Sequence, residues 1–290
     1  MRSTSKNKRS YGFTLVEILV ATAMMAILLT VVLSITNNFM KGWNQTSGKL
    51  STSSDAKLAL DYLSRDLSSA IFRNDQSEWL ETQLNKNVGP NPYLVRNTSL
   101  VNFFTPVVDE SGSTTGDISA VCYELESQTF FEGSDISTFG LYRTLVSPQD
   151  TFNDFLGDGS ILSSNWGSSS APYNPYTKEK PPTANLIVAN VVEFTVLFGY
   201  TDTDGEKVEI PKKISEAVDL VFPENGTAKY VEITITVVTD EGAKLLNAAL
   251  SNPPKWRADL NEDGKEDLMD IIDYHGATFR QRVYFYNKPI

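Results

Sequence analysis

The sequence is poorest in the side chains that carry most metal and redox chemistry. Cys122 is its only cysteine and His275 its only histidine. A single cysteine forms no intramolecular disulfide, and it excludes the spacings of zinc ribbons and redox CxxC sites. Cys122 therefore reads as a buried apolar residue in a strand. A single histidine removes most zinc-hydrolase ligand sets and leaves any Ser-His-Asp triad resting on His275 alone. No glycine-rich phosphate loop is present, and the many acidic residues form no recognisable acid/base pair, so the chain is expected not to be an enzyme. Positive charge is scarce as well: 25 Lys and Arg stand against 36 Asp and Glu, a formal net charge of -11. The first twelve residues hold Arg2, Lys6, Lys8 and Arg9 with no acid, so without them the remainder stands at -15. A body this acidic is unsuited to nucleic acid, where affinity comes mainly from neutralising phosphates.

What the sequence does have is one long apolar run. Between residues 13 and 35 only Thr14, Glu17, Thr22, Thr30 and Ser34 interrupt it. A helix of that length crosses the roughly 30 Å of a bilayer's hydrocarbon. The basic residues precede the run, which keeps residues 1–12 in the cytoplasm and puts the rest on the far side. An ordinary secretory signal peptide and a simple membrane anchor are the competing readings. A signal peptide has a shorter apolar core and a small-residue cleavage site, whereas this run passes into Asn37, Asn38, Phe39, Met40 and Lys41 without one.

Glu17 is the unusual residue, a carboxylate inside the apolar run, where an unpaired charge costs about 3 kcal/mol even on lenient insertion scales. With its neighbours it reads Gly12-Phe13-Thr14-Leu15-Val16-Glu17. This hexapeptide, with a basic leader before it and an apolar helix after it, resembles the prepilin signature of type IV pilins and type II secretion pseudopilins. The resemblance implies that a prepilin peptidase cuts after Gly12 and methylates the new amino-terminal residue, Phe13. It also implies an assembly role for Glu17, whose carboxylate would pair with the Phe13 amine of a neighbouring subunit.

Beyond the run, Leu50, Leu58, Leu60, Tyr62, Leu63, Leu67, Ala70 and Ile71 keep an apolar stripe, while Asp55, Lys57, Asp61, Arg65 and Asp66 fall elsewhere. One long helix is predicted, with Gly42 and Gly48 as candidate break points. The piece from Ala59 to Ala70 resembles the corresponding helix of the minor pseudopilin J group. Residues 74–98 read as a loop, with Gly89, Pro90 and Pro92. Strands are predicted at 100–108, 118–125, 139–146, 186–200, 218–222, 230–238 and 279–286. Asp202-Thr203-Asp204-Gly205 reads as a hairpin turn. Residues 147–182 read as a long surface excursion carrying Trp166, Tyr173 and Tyr176, and 240–250 as a short helix with Asp240 as its N-cap. The predicted organisation is a leader (1–12), a transmembrane or filament-core helix (13–35), an amphipathic continuation (36–73) and a β-rich domain (74–290). This is an α+β chain in which a long N-terminal helix packs on an antiparallel β-rich domain, the pilin-like arrangement. Gly140-Leu141-Tyr142-Arg143, the stretch from Val191 to Val196 and the stretch from Val231 to Ile235 follow the order seen in pseudopilin J-like proteins.

A second motif lies near the C-terminus. Residues 259–270 fit D-x-N-x-D-G-x-x-D-x-x-D. Side-chain oxygens at Asp259, Asn261 and Asp263, the backbone carbonyl of Lys265, and later ligands at Asp267 and Asp270 have the spacing of a calcium loop, with Gly264 at its sharp turn. Calcium takes six to eight hard oxygens, and these carboxylates repel one another without a cation. Asp270 replaces the usual final Glu, and Pro253-Pro254 disfavours a long entering helix, so the loop resembles the shorter dockerin type. One loop alone does not imply cohesin binding. A bound Ca2+ is expected to be structural, pinning the tail so that the last strand docks.

The reading that follows is a non-catalytic minor pseudopilin or pilin subunit. Its expected place is the inner membrane, single-pass, with the C-terminal domain in the periplasm or on an envelope filament. Its expected partners are the prepilin peptidase, other pilin or pseudopilin subunits and the inner membrane. An adhesive minor pilin that binds through residues 147–182 is the alternative.

Overall fold

The computed structural model describes residues 14–71, 79–84, 98–106, 116–129, 137–156, 161, 186–201, 207–210, 227–250 and 267–289. The chain divides into two compact units, Met1–Gly48 and Lys49–Ile290. One unbroken helix, α1 (Leu15–Ser69), runs through both, so neither Gly42 nor Gly48 breaks it. A single glycine costs about 1 kcal/mol in a helix, too little by itself to stop one of this length.

Among the described residues, the second unit is built on two antiparallel sheets. The first holds β1 (Leu80–Leu84), β2 (Ser99–Thr105), β3 (Ser119–Thr129), β4 (Ser137–Leu145) and β5 (Leu186–Ala189), in that spatial order. The second holds β6 (Val191–Thr201), β7 (Lys207–Ile210), β8 (Thr227–Val238) and β9 (Gly276–Pro289), ordered β7-β6-β8-β9. Among the described residues between β8 and β9 are the short helices α3 (Asp240–Leu250) and α4 (Asp267–His275). This is the predicted α+β architecture.

Most predicted strands survive with shifted ends, and the differences have local causes. The stretch 186–200, read as one strand, is two strands in different sheets. Asn190 breaks it with φ of 59°, in the left-handed region that asparagine tolerates better than most side chains. Its carbonyl accepts Val238 N at 2.9 Å, and its amide donates to Asp240 Oδ1 at 2.7 Å. The 74–98 region is not all loop, since β1 pairs there with β2, from Leu80 opposite Phe103 to Leu84 opposite Ser99. The strands flanking 202–205 form the predicted hairpin, Thr201 opposite Lys207. The strand predicted at 218–222 lies outside the described residues.

The main core packs the second half of α1 on both sheets. Ala56, Ala59, Leu60, Leu63, Leu67 and Ala70 recur at three- and four-residue steps and join Val101, Phe103, Tyr123, Phe194, Ile233 and Ile235 in one buried cluster. Burying a leucine such as Leu63 stabilises by about 1.5–3 kcal/mol. Small Ala56 and Ala59 do the close packing, while Leu50, Leu58 and Tyr62, expected on the same stripe, face outward. The helix stops at Ser69, short of residue 73, because the chain turns into the sheet: Ile71 N donates to Phe104 O at 2.8 Å.

A second, smaller core covers the other face of the first sheet. Trp79, Leu100, Phe104, Ala120, Cys122, Val146, Phe155 and Ile161 form it. Helix α2 (Pro148–Thr151) and the π turn at Phe152–Leu156 provide its lid. The predicted excursion therefore begins as folded structure, anchored by Thr151 Oγ1, which accepts Ala120 N at 2.9 Å. All seven residues of β2 are buried because apolar groups cover both of its faces.

The amino-terminal helix as candidate functional site

In the first unit the helix begins with a capping box. Thr14 Oγ1 accepts Glu17 N at 3.3 Å, and Glu17 Oε2 accepts Thr14 N at 2.9 Å and the Thr14 hydroxyl at 3.0 Å. The reciprocal pair satisfies backbone donors that a helix start leaves open. Glu17 thus has a partner within its own subunit, one that the S/T-x-x-E spacing shows in the sequence. Every described side chain from Thr14 to Trp43 is exposed, among them Leu15, Ile18, Leu19, Met24, Met25, Ile27, Leu28, Leu33 and Ile35. The threonines along this stretch bond within the helix. Thr22 donates to Leu19 O at 3.0 Å, Thr30 to Ala26 O at 2.9 Å, and Thr36 to Val32 O at 2.9 Å. A helix apolar on all sides, with its hydroxyls turned back onto its own carbonyls, is suited to lipid or to a bundle of like helices. By length and composition it is long and apolar enough to cross a membrane. The processing residues Gly12 and Phe13 lie outside the described residues.

In the second unit, residues that the sequence pattern did not single out together form a buried polar tether. Asp66, expected off the apolar stripe, is 3% exposed. Its Oδ2 accepts the Tyr123 hydroxyl at 2.6 Å and Arg143 Nε at 2.7 Å, and Arg143 Nε also reaches the Tyr123 oxygen at 3.1 Å. Burial pushes the Tyr123 hydroxyl well above its ordinary range, and the Asp66 charge adds to that. For Arg143 burial pulls the other way, but the Tyr123 oxygen and Asp66 outweigh it and hold the guanidinium more firmly charged. The three groups fasten α1 to the middle of the first sheet, where Tyr123 on β3 stands opposite Arg143 on β4. Helical periodicity places Asp66 beside Leu63 and Leu67 but does not reveal its partners, about 60 and 80 residues away, which only sheet pairing brings near.

The calcium-loop positions divide between described and other residues. Asp259, Asn261, Asp263 and Lys265 lie outside the described residues. Asp267 opens α4, and Asp270 stands three residues on, in its first turn. Among the described residues no group of three His, Cys, Asp or Glu gathers to hold a metal. Helices α3 and α4 meet closely: a Cβ on Gly242 would lie 2.5 Å from His275 Cβ, so only glycine fits there. Thr239, not Asp240, caps α3, since its Oγ1 accepts Gly242 N at 3.2 Å. Asp240 is instead engaged by Asn190. His275 is buried at the end of α4, with Nδ1 3.5 Å from Thr239 Oγ1, and Cys122 is buried in β3. Trp166, Tyr173 and Tyr176 lie outside the described residues.

The chain matches the family model described as Prokaryotic N-terminal methylation motif over residues 7–33. Comparison with curated proteins gave no match. Among solved structures it aligns with a type IV-like pilin from Thermus thermophilus at 12% identity and a TM-score of 0.33, over 82% of this chain and 98% of that one. The methylation motif implies processing by a prepilin peptidase. Together with the exposed apolar helix it is consistent with a membrane-anchored subunit.

Proposed function

We propose that the chain is a type IV pilin-like subunit, a non-catalytic minor pseudopilin or pilin of an envelope filament. It is made as a prepilin, cut after Gly12 and methylated on Phe13. The observation that carries this reading is the coincidence of the methylation motif at residues 7–33 with a helix that leaves its apolar side chains uncovered from Leu15 to Trp43. A surface that large needs lipid before assembly and sister helices after it. In the packed state Glu17 pairs with the Phe13 amine of the next subunit, and in low dielectric the loss of either partner strands the other. Mass spectrometry of the membrane-extracted protein, from cells with an active peptidase, is expected to show the first twelve residues removed and Phe13 methylated; an intact leader refutes the reading. Glu17→Ala is expected to stay in the membrane yet fail to assemble, and assembly at the wild-type level refutes the pairing role.

Within this reading, residues 259–270 bind structural Ca2+ through Asp259, Asn261, Asp263, the Lys265 carbonyl, Asp267 and Asp270. Support comes from the oxygen spacing of residues 259–270, with Gly264 at the turn, and from α4, which starts at the loop's ninth position, Asp267. At calcium a hundredfold above Kd the ion stabilises the fold by about 2.7 kcal/mol. Removing it with a chelator is expected to lower Tm; an unchanged Tm, with no calorimetric binding at millimolar calcium, refutes the site.

A further inference from the structure

The far end of the apolar segment carries a second pattern, different in kind from the run itself. Asn37 and Asn38 end the hydrocarbon-like sequence, and Phe39, Met40, Lys41 and Trp43 follow. Phe39 and Trp43, one helical turn apart, stack with ring centroids 6.4 Å apart and an interplanar angle of 25°. They are 68% and 66% exposed. At 100° per residue Lys41 points to the opposite side of the helix from this pair, and Met40 to a third side. The set surrounds the helix, as the interface of a bilayer surrounds an unassembled subunit. Trp43 has an apolar body and a polar indole N–H, Phe39 adds apolar ring surface against it, and Lys41 can reach the headgroups along its stem; tryptophan and lysine at a helix end settle at the headgroup level of a bilayer.

The spacing agrees with that location. From Glu17 to Phe39 the helix rises about 33 Å, against a hydrocarbon thickness of about 30 Å. The capping box and the aromatic pair therefore bracket the hydrocarbon, one at each boundary. We propose that Phe39 and Trp43, with Lys41, form an interfacial anchor that docks in the headgroup and acyl boundary of the leaflet opposite the basic leader. The anchor fixes the depth of the unassembled subunit, so that Glu17 stands at the near boundary of the hydrocarbon instead of within it. There the carboxylate keeps the Thr14 capping bonds and its access to water, which removes most of the insertion cost of a charge in the run. This inference rests on the membrane-anchored reading above.

Tryptophan quenching in vesicles tests it. The full chain and its Trp43→Phe variant are reconstituted in phosphatidylcholine and phosphatidylglycerol vesicles whose acyl chains carry bromine either near the headgroup or near the bilayer centre. The difference between the two proteins isolates Trp43 from the other tryptophans. The expected result is a blue-shifted Trp43 emission, quenched several-fold more by shallow bromine than by deep bromine. Stronger quenching by deep bromine overturns the anchor. So does equal emission with and without bromine in protein that floats with the vesicles, which places Trp43 in water or against another subunit. Protein that does not float with the vesicles refutes the membrane-anchored reading itself.

Discussion

Between Leu15 and Trp43 the first helix leaves apolar side chains exposed on every side, whereas from Ala56 onward one apolar face is covered by two sheets, while Leu58 and Tyr62 stay outward. The backbone is the same and the surroundings differ. In the first stretch the polar residues are few and the threonines bond locally, Thr14 with Glu17 and the later ones with carbonyls one turn back. In the second they are many, and the single buried charge, Asp66, is bonded to two long-range partners. Secondary structure therefore does not tell which solvent a helix occupies. The fate of its polar groups does: local bonds suffice where no partner surface exists, and distant bonds appear where one does.

The comparison breaks most readily at a leucine. Leu63→Ala is expected to destabilise the second unit by about 2–5 kcal/mol, the range for emptying a packed leucine site. Leu28→Ala, on the exposed stretch, is expected to leave that stability within about 0.5 kcal/mol of wild type. Denaturant unfolding of the full chain in mild detergent measures both, and equal losses would mean that the two stretches share one core.

A smaller expected effect sharpens the comparison at Asp66. Asp66→Ala leaves Tyr123 and Arg143 without their shared acceptor. The cost is expected near 3 kcal/mol, the low end for breaking a buried ion pair, because Arg143 keeps one side in water. If Asp66→Ala unfolds at the wild-type midpoint, the tether is an accident of packing. The exposed pair of Glu232 and Arg282 on β8 and β9 is the control, since surface ion pairs contribute little.

The uneven legibility of the sequence follows from the range of the forces involved. The membrane-length run, the capping box and α3 are local patterns, and each stands where its residues place it. The strand of β8 was legible from Val231, Ile233, Ile235 and Val237 alternating with Glu232, Thr234 and Thr236. Thr234 and Thr236 nevertheless turn out buried, and Thr236 is hydrogen-bonded to Glu193 on β6 and Thr278 on β9, the strands on either side of β8. The break at Asn190 was not legible, since apolar residues run on both sides of it and only pairing with different sheets separates them. Of the candidate site, Glu17 was evident from a charge in the wrong solvent. Its partner Thr14 was available from the same spacing but overshadowed by the expected intersubunit amine. The ring of Asp66, Tyr123 and Arg143 depends on strand register, which no single stretch of sequence carries.

The smallest expected effect concerns Tyr123 and has a pH signature. Tyr123→Phe removes one hydrogen bond but leaves Asp66 paired with Arg143, so the loss at neutral pH is expected at about 0.5–1.5 kcal/mol. Folding raises the Tyr123 pKa above its unfolded value of about 10, because burial and the Asp66 charge both oppose the phenolate. A raised native pKa means that the unfolded chain releases this proton first. The stability linked to it is therefore fully present below about pH 10 and falls as pH rises toward the native pKa. Wild type is expected to lose stability on the alkaline side more steeply than Tyr123→Phe, so that the two curves converge as pH increases. Curves that stay parallel through the alkaline range would show that the Tyr123 hydroxyl titrates as if in water, and the tether between α1 and the first sheet would then reduce to Asp66 and Arg143 alone.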